Sequence, residues 1–216
     1  IVTGVMHLLL LPKSGIGDAF MSQRCQHTLA GNHHAADPNI GSKNLAQKFF
    51  ELQKEMFKAN QGLTTAHQYS SRWYSWLIMY RPIYYWSKDN TAHVYLLGNP
   101  VIWWGSMLAM IGILGGLVWT GGERRKLLAI ITLGFLGNWL PFVAIGRVTF
   151  LYHYQAALVF AILGLAYLLQ RKKKRPLALG ILVLAIVAFV FFAPITYGFK
   201  VTDKELQRRM WLGTWR

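Results

Sequence analysis

The sequence has 216 residues, 54% hydrophobic and 14% charged, with a net charge of +15. That balance excludes an ordinary soluble domain. The basic residues flank apolar runs, so the charge reads as membrane orientation and not as nucleic-acid binding; the single cysteine, Cys25, rules out an intrachain disulfide and reads as a buried thiol.

The chain opens on IVTGVMHLLLLP, which lacks the basic n-region and cleavage site of a signal peptide and is too short to span a bilayer. Residues 1–11 are expected to be the end of a preceding transmembrane helix, which makes the chain the later part of a longer protein. Residues 12–98 form a segment of different character. In GIGDAFMS, Asp18 follows Gly15 and Gly17, a setting that suits either a helix-capping turn or a site. GNHHAADPNIGS reads as a linker, and its adjacent His33 and His34 need not converge. KNLAQKFFELQKEMFKA places Leu45, Phe49, Leu52 and Met56 at helical spacing, which predicts an amphipathic helix. Glu51–Lys54 and Glu55–Lys58 are spaced to pair across its polar side. The apolar side suits a membrane surface or the rest of the protein equally. HQYSSRWYSWLIMYRPIYYW then crowds Trp73, Tyr74, Trp76, Tyr80, Tyr84, Tyr85 and Trp86 together, as expected of a segment along the headgroup layer.

Four apolar runs follow in residues 99–199, starting at Pro100, Leu127, Thr149 and Leu177. Each is long enough to cross a bilayer, and the short links predict antiparallel neighbours. The fold class is therefore an all-α integral membrane protein with four transmembrane helices. The links GGERRK and QRKKKR lie at one end, and the positive-inside rule makes that end cytoplasmic. Residues 12–98 and the tail 200–216 are then extracytoplasmic, although the tail is itself basic.

Residues for chemistry are sparse. Eight acids are present and none forms a convincing acid–base pair by spacing. No HExxH, CxxC or phosphate-loop pattern occurs, so neither a metal nor a cofactor is expected. Asn138 and Pro141 are the polar and helix-breaking features of the second span, suited to bonding a neighbouring helix and ending this one. The densest polar cluster is GRVTFLYHYQAAL, residues 146–158. If the helix includes Arg147, then Arg147, Phe150 and Tyr154 share one face, with Tyr152 and His153 pointing elsewhere. Arg147 reads either as an arginine snorkelling to headgroups or as an anion site for a lipid-linked phosphate, with apolar helices beside it for a prenyl tail.

The order of SGIGDAFMSQRCQHTLAGN, KFFELQKEMFKANQGLTTAHQYSSRWYSWLIMYRPIYYW, LLGNPVIWW and NWLPF with R..FLYHY resembles the C-terminal half of the dolichyl-phosphate-mannose–protein mannosyltransferases, the protein O-mannosyltransferases. The resemblance covers almost the whole chain. It implies a GT-C type membrane glycosyltransferase fragment that serves mannose transfer from a polyprenyl phosphate to Ser or Thr, outside the cytoplasm. It also implies that the catalytic acidic pair lies in the N-terminal half, so this chain by itself is expected to be inactive.

Under that reading Arg147, His153 and Tyr154 would bind the donor phosphate. His67, Tyr69, Trp73 and Arg81 would shape an acceptor groove. The expected partners are the bilayer, the polyprenyl phosphate mannose donor, an acceptor protein and the N-terminal half or other membrane subunits. Eukaryotic members carry a MIR domain between the GDAFMS and ELQK regions. The short stretch standing there implies a bacterial member in the plasma membrane, or the endoplasmic reticulum if the source is eukaryotic. The alternative is a non-catalytic membrane subunit that keeps the fold. A transporter would need acids or broken helices at midplane, where only Asn138 and Pro141 stand.

Overall fold

The structure is a computed structural model that describes residues 6, 8–10, 12–62 and 65–215. It divides into two compact units, Ile1–Thr64 and Thr65–Arg216. The helix end expected at 1–11 falls largely outside the described residues, of which Met6 and Leu8–Leu10 are helical.

In the first unit, Ser14 and Ala30 join through a backbone bond of 2.9 Å. A 3-10 turn follows over Ile16–Phe20. Asp18 is its third residue and not its cap, and the carboxylate accepts from the Gly15 amide and the Ser14 hydroxyl, each at 2.6 Å. Helix α1 (Gln23–Gln26) carries Cys25, which is buried. Burial pushes its thiol pKa up, with Glu51 adding to the shift.

Helix α2 (Leu45–Gln61) starts on a reciprocal cap, with the Gln47 amide bonding the Asn44 side chain at 2.9 Å and the Asn44 amide bonding Gln47 at 3.1 Å. Phe49 and Leu52 of the expected stripe are half-buried, whereas Met56, Phe50 and Phe57 stay exposed. Glu55 pairs with Lys58 as the spacing predicts. Glu51 departs from expectation: it pairs with Lys43 and accepts from the Ser22 amide and hydroxyl instead of meeting Lys54. Turning inward gives its carboxylate three donors where Lys54 offers one.

The second unit is built on four helices long and apolar enough to cross a membrane: Pro100–Leu117, Gly122–Ala144, Leu151–Leu169 and Lys172–Tyr197. Their regular α-helical parts are α3 (Pro100–Leu117), α4 (Gly122–Trp139), α5 (Gln155–Leu169) and α6 (Arg175–Tyr197). Helix α3 begins where Asn99 accepts from the Val101 and Ile102 amides, with Pro100 at the first helical position. Helix α4 begins five residues before the apolar run, so the basic link is partly helical. Pro141 ends its α-helical geometry, and a 3-10 turn continues over Leu140–Ala144. Asn138 bonds back to the Gly134 carbonyl of its own helix at 2.8 Å and not to a neighbour.

The helices are not packed simply in chain order. Helix α5 lies chiefly against α4 and α3 and touches α6 little, while α6 packs on α3 and on the hairpin described below. Small residues explain the central place of α5. Ala157 and Ala161 are fully enclosed, and Gly164 is buried one turn further on. A Cβ added at Gly164 would stand 2.8 Å from Ile113, and one at Gly134 would stand 2.2 Å from the Phe160 ring. The outward faces of α6, including Leu179, Val187 and Val190, remain apolar and exposed, as a lipid-facing surface requires.

One element is absent from the all-helical expectation. Strands β1 (Ile83–Lys88) and β2 (Ala92–Leu96) form an antiparallel hairpin with an irregularity between Tyr84 and Trp86. Asp89 and Asn90 take φ of 51° each, the left-handed pair of a tight hairpin turn. The tail then returns: Val201 donates to Thr91 at 2.7 Å, and Thr202 caps α7 (Asp203–Arg209).

Candidate functional site

The end of the bundle away from the GGERRK and QRKKKR links is covered by the aromatic segment. Trp73–Ile78 forms a 3-10 turn that ends on Met79 in the left-handed region, φ 53°. Such a turn leaves carbonyls without backbone partners. Four indoles from three other segments bond carbonyls of this turn, the Trp76 carbonyl accepting from the Met79 amide as well. Trp139 donates to the Trp73 carbonyl at 2.9 Å, Trp103 to Trp76 at 2.8 Å, Trp104 to Ile78 at 3.0 Å and Trp215 to Met79 at 2.8 Å. Trp76 is fully buried and donates to the Ser71 hydroxyl at 2.9 Å. The tryptophans expected at a headgroup layer are structural fasteners. Gly98 belongs to the same construction, because a Cβ there would meet the Trp103 ring at 2.2 Å.

The cluster at 146–158 sits against this turn. Helix does not include Arg147, which lies in a bend, so the expected face shared by Arg147, Phe150 and Tyr154 does not form. Regular structure resumes as a 3-10 turn over Leu151–Tyr154. Tyr154 is fully enclosed, with its ring 5.2 Å from Trp103 and 6.2 Å from Phe135, so it supports the site from within. Its hydroxyl is buried without a hydrogen-bond partner among the described residues.

His153 occupies the pivot. It stacks on Tyr152 at 4.4 Å and on Trp76 at 5.8 Å, with Phe142 edge-on at 5.3 Å. Its Nδ1 lies 3.1 Å from the Phe150 amide nitrogen and 3.0 Å from the Phe150 carbonyl oxygen, so the tautomer chooses between accepting and donating. Arg147 is half-buried and takes part in none of the ion pairs among the described residues. The surrounding segments 65–99, 140–150 and 198–215 hold eight Arg and Lys residues against three acids. One of those acids, Glu205, has its pKa lowered by bonds from the Thr202 amide and hydroxyl, with Arg209 and Arg208 adding to the shift. This end is thus an electropositive surface with no carboxylate assigned to chemistry.

Two of the residues expected in an acceptor groove join this cluster. The His67 ring is edge-on to Phe150 at 5.1 Å and lies 5.9 Å from Tyr69. Tyr69 is edge-on to Tyr84 at 5.9 Å, and the Tyr84 hydroxyl lies 3.0 Å from His93 Nδ1. A continuous line of rings therefore runs from His93 through Tyr84, Tyr69, His67 and Phe150 to His153. Trp73 is elsewhere, edge-on to Trp139 at 4.9 Å. The Arg81 Nε is buried without a partner among the described residues, and no ring contact links Arg81 to His67 or Tyr69.

Beside Tyr152 a cavity of about 250 Å³ opens between α3 and α5. Leu97, Ile102, Trp103, Leu151 and Leu158 make its apolar wall, and Asn99, Tyr152 and Gln155 bring polar groups to it. Sequence reading had singled out neither Gln155 nor the Tyr84–His93 pair. Gln155 falls inside the apolar run expected from Thr149, and the pair depends on hairpin register.

A four-helix membrane bundle capped by an aromatic, electropositive surface is a membrane domain suited to a lipid carrying a polar, anionic head. Residues 45–215 match the C-terminal four TMM region of protein-O-mannosyltransferase, and the chain belongs to that family. It is 34% identical over 194 residues to dolichyl-phosphate-mannose–protein mannosyltransferase 1 of Saccharomyces cerevisiae, which covers 78% of this chain and 24% of the relative. It is 33% identical to protein O-mannosyl-transferase 1 of Mus musculus over 81% of this chain and 27% of that protein. The chain thus spans about a quarter of the length of these relatives. In three dimensions it is similar to a chain in the structure of the Saccharomyces cerevisiae protein O-mannosyltransferase Pmt1-Pmt2 complex bound to the sugar donor. There the TM-score is 0.71 with 29% identity, covering 86% of this chain and 29% of that one.

Proposed function

We propose that this chain is the C-terminal membrane portion of an enzyme that transfers mannose from a polyprenyl phosphate to Ser or Thr of proteins. Its part is to hold the donor and to border the acceptor. The observation that carries the reading is the His67–Phe150–His153 ring line beside the apolar cavity at Tyr152. Arg147 supplies charge for the phosphate, and His153 supplies a donor or acceptor nitrogen held by Phe150. The first prenyl unit enters the cavity between α3 and α5. Tyr154 keeps His153 in place from beneath. His67 and Tyr69 border the acceptor, with Trp73 and Arg81 shaping the surface further along. A carboxylate from outside this chain acts as the base.

The short stretch between GDAFMS and the ELQK helix supports a member without a MIR domain, of bacterial type. Membership of the family is equally consistent with a non-catalytic subunit that retains the fold. The test uses the protein that carries this region, in nanodiscs with polyprenyl phosphate mannose and a Ser/Thr peptide. Arg147→Ala is expected to raise the donor KM about tenfold or more, the scale of one lost charge-assisted phosphate contact, while the peptide KM holds. An unchanged donor KM with normal expression makes Arg147 an interfacial anchor. No transfer activity in the unsubstituted protein favours the subunit reading.

A further inference from the structure

The opposite end of the bundle carries a second, unrelated feature. Residues 118–126 and 170–175 hold Arg124, Arg125, Lys126, Arg171, Lys172, Lys173, Lys174 and Arg175 against one acid, Glu123. Glu123 is already paired with Lys126 at 2.6 Å. The remaining cations are in none of the ion pairs among the described residues.

They are not spread evenly over a solvated face. Arg124 from α4, Tyr167 and Leu168 from α5, and Gln170, Arg171 and Lys174 from the following link enclose a cavity of about 70 Å³. Two membrane-length helices begin at this end, α4 at Gly122 and α6 at Arg175, and neither N-terminus has a side-chain cap. Their orphan amides add partial positive charge to that of the side chains.

We propose that this cavity binds the phosphate of an anionic lipid headgroup. The volume is that of roughly two to three liquid waters. It admits a phosphate group and leaves any larger headgroup substituent outside. Two arginines offer paired N–H donors matched to phosphate oxygens, and Lys174 adds a point charge. Leu168 gives the wall an apolar side against which the glycerol and first acyl carbons can lie. A basic pocket between helices at the cytoplasmic headgroup layer is the setting in which such phosphates bind. The site is independent of the donor reading, being at the other end of the bundle.

The whole chain is purified in detergent and titrated with phosphatidylglycerol, phosphatidylcholine or inorganic phosphate, and retained ligand is read by native mass spectrometry. Saturable retention of phosphatidylglycerol over phosphatidylcholine is expected. Substitution of the three lining cations together (Arg124→Gln, Arg171→Gln, Lys174→Gln) should weaken it on the order of a hundredfold, about fivefold for each charge near the surface. Lys172→Gln with Lys173→Gln, in the same link but outside the cavity, should leave it within about twofold. Competition by inorganic phosphate identifies the phosphate as the group bound; retention of inorganic phosphate with no lipid assigns the pocket to the free anion and overturns a lipid site. Equal retention of phosphatidylcholine, or equal loss in the two sets of variants, also overturns it. Arg171→Gln alone, checked for an unchanged gel-filtration profile, separates loss of binding from loss of fold.

Discussion

Thr149 and Ser71 clasp each other twice: the Ser71 amide donates to the Thr149 carbonyl at 2.8 Å, and the Thr149 hydroxyl donates to the Ser71 carbonyl at 2.7 Å. Both residues are buried. Ser71 also receives the Trp76 indole, so this pair ties the segment carrying His67 and Tyr69 to the one carrying Arg147 and His153. Thr149→Val keeps the shape and removes the donor, leaving a buried carbonyl short of a partner. The expected cost is about 1–3 kcal/mol. Hydrogen exchange at residues 67–72 should rise, with exchange in α5 unchanged. If residues 67–72 stay protected, the clasp does not hold the two segments together.

The indole bonds to the aromatic turn are open to a similar test. Trp103→Phe removes the indole donor to the buried Trp76 carbonyl and leaves it only the Met79 amide at 3.0 Å. The variant should lose about 2–4 kcal/mol when lost packing is included. Trp119→Phe, at a position 89% exposed, should change stability by less than about 0.5 kcal/mol. Thermal unfolding in one detergent compares them, and equal losses would mean that the indole bond contributes nothing specific.

The close approach of α4 and α5 rests on Gly134. A methyl group there would meet the Phe160 ring at 2.2 Å, so Gly134→Ala should cost about 1–3 kcal/mol. Adding Phe160→Leu should recover most of the loss by opening room for the methyl. Gly115→Ala serves as the control, since nothing lies within 4 Å of its added Cβ. A stable Gly134→Ala protein would show that the two helices are not this closely packed.

What the sequence made legible follows from how strong each physical signal is. Twenty apolar residues have few stable alternatives to a membrane helix, so the four spans were readable to within a few residues. The hairpin was not, because Ile83–Lys88 and Ala92–Leu96 are short and the aromatic segment resembles an interfacial stretch. Regular α-helix in the third span starts later than the apolar run, at Gln155, for a related reason. Thr149 is apolar enough to extend the run, but its hydroxyl and carbonyl are committed to Ser71, a partner 78 residues away. The site was half legible. Arg147 and His153 stood out as polar groups between apolar runs. The meeting of His67 with Phe150 depends on that same long-range clasp, which no local pattern reveals.

Glu51 sets a pH dependence for the first unit. Its burial alone would raise the pKa, but the bonds from Lys43 and from the Ser22 amide and hydroxyl outweigh that and hold it below the usual glutamate value. A carboxylate with a depressed folded pKa contributes stability that is fully present above its unfolded value. That contribution is lost as the pH falls through the folded value. The protection of residues 12–62 from hydrogen exchange should therefore hold down to about pH 5 and decline as the pH falls through the usual glutamate value of about 4.3 and below it. Glu51→Gln should lower protection at pH 7 by about 1–3 kcal/mol, the worth of hydrogen bonds to a charged acceptor. It should also flatten the acid dependence, because the substituted side chain does not titrate. Lys43→Met tests the partner from the other side. It should remove part of the stabilisation and raise the pH at which protection is lost. A Glu51→Gln protein that retains the original acid profile would assign the dependence to another carboxylate.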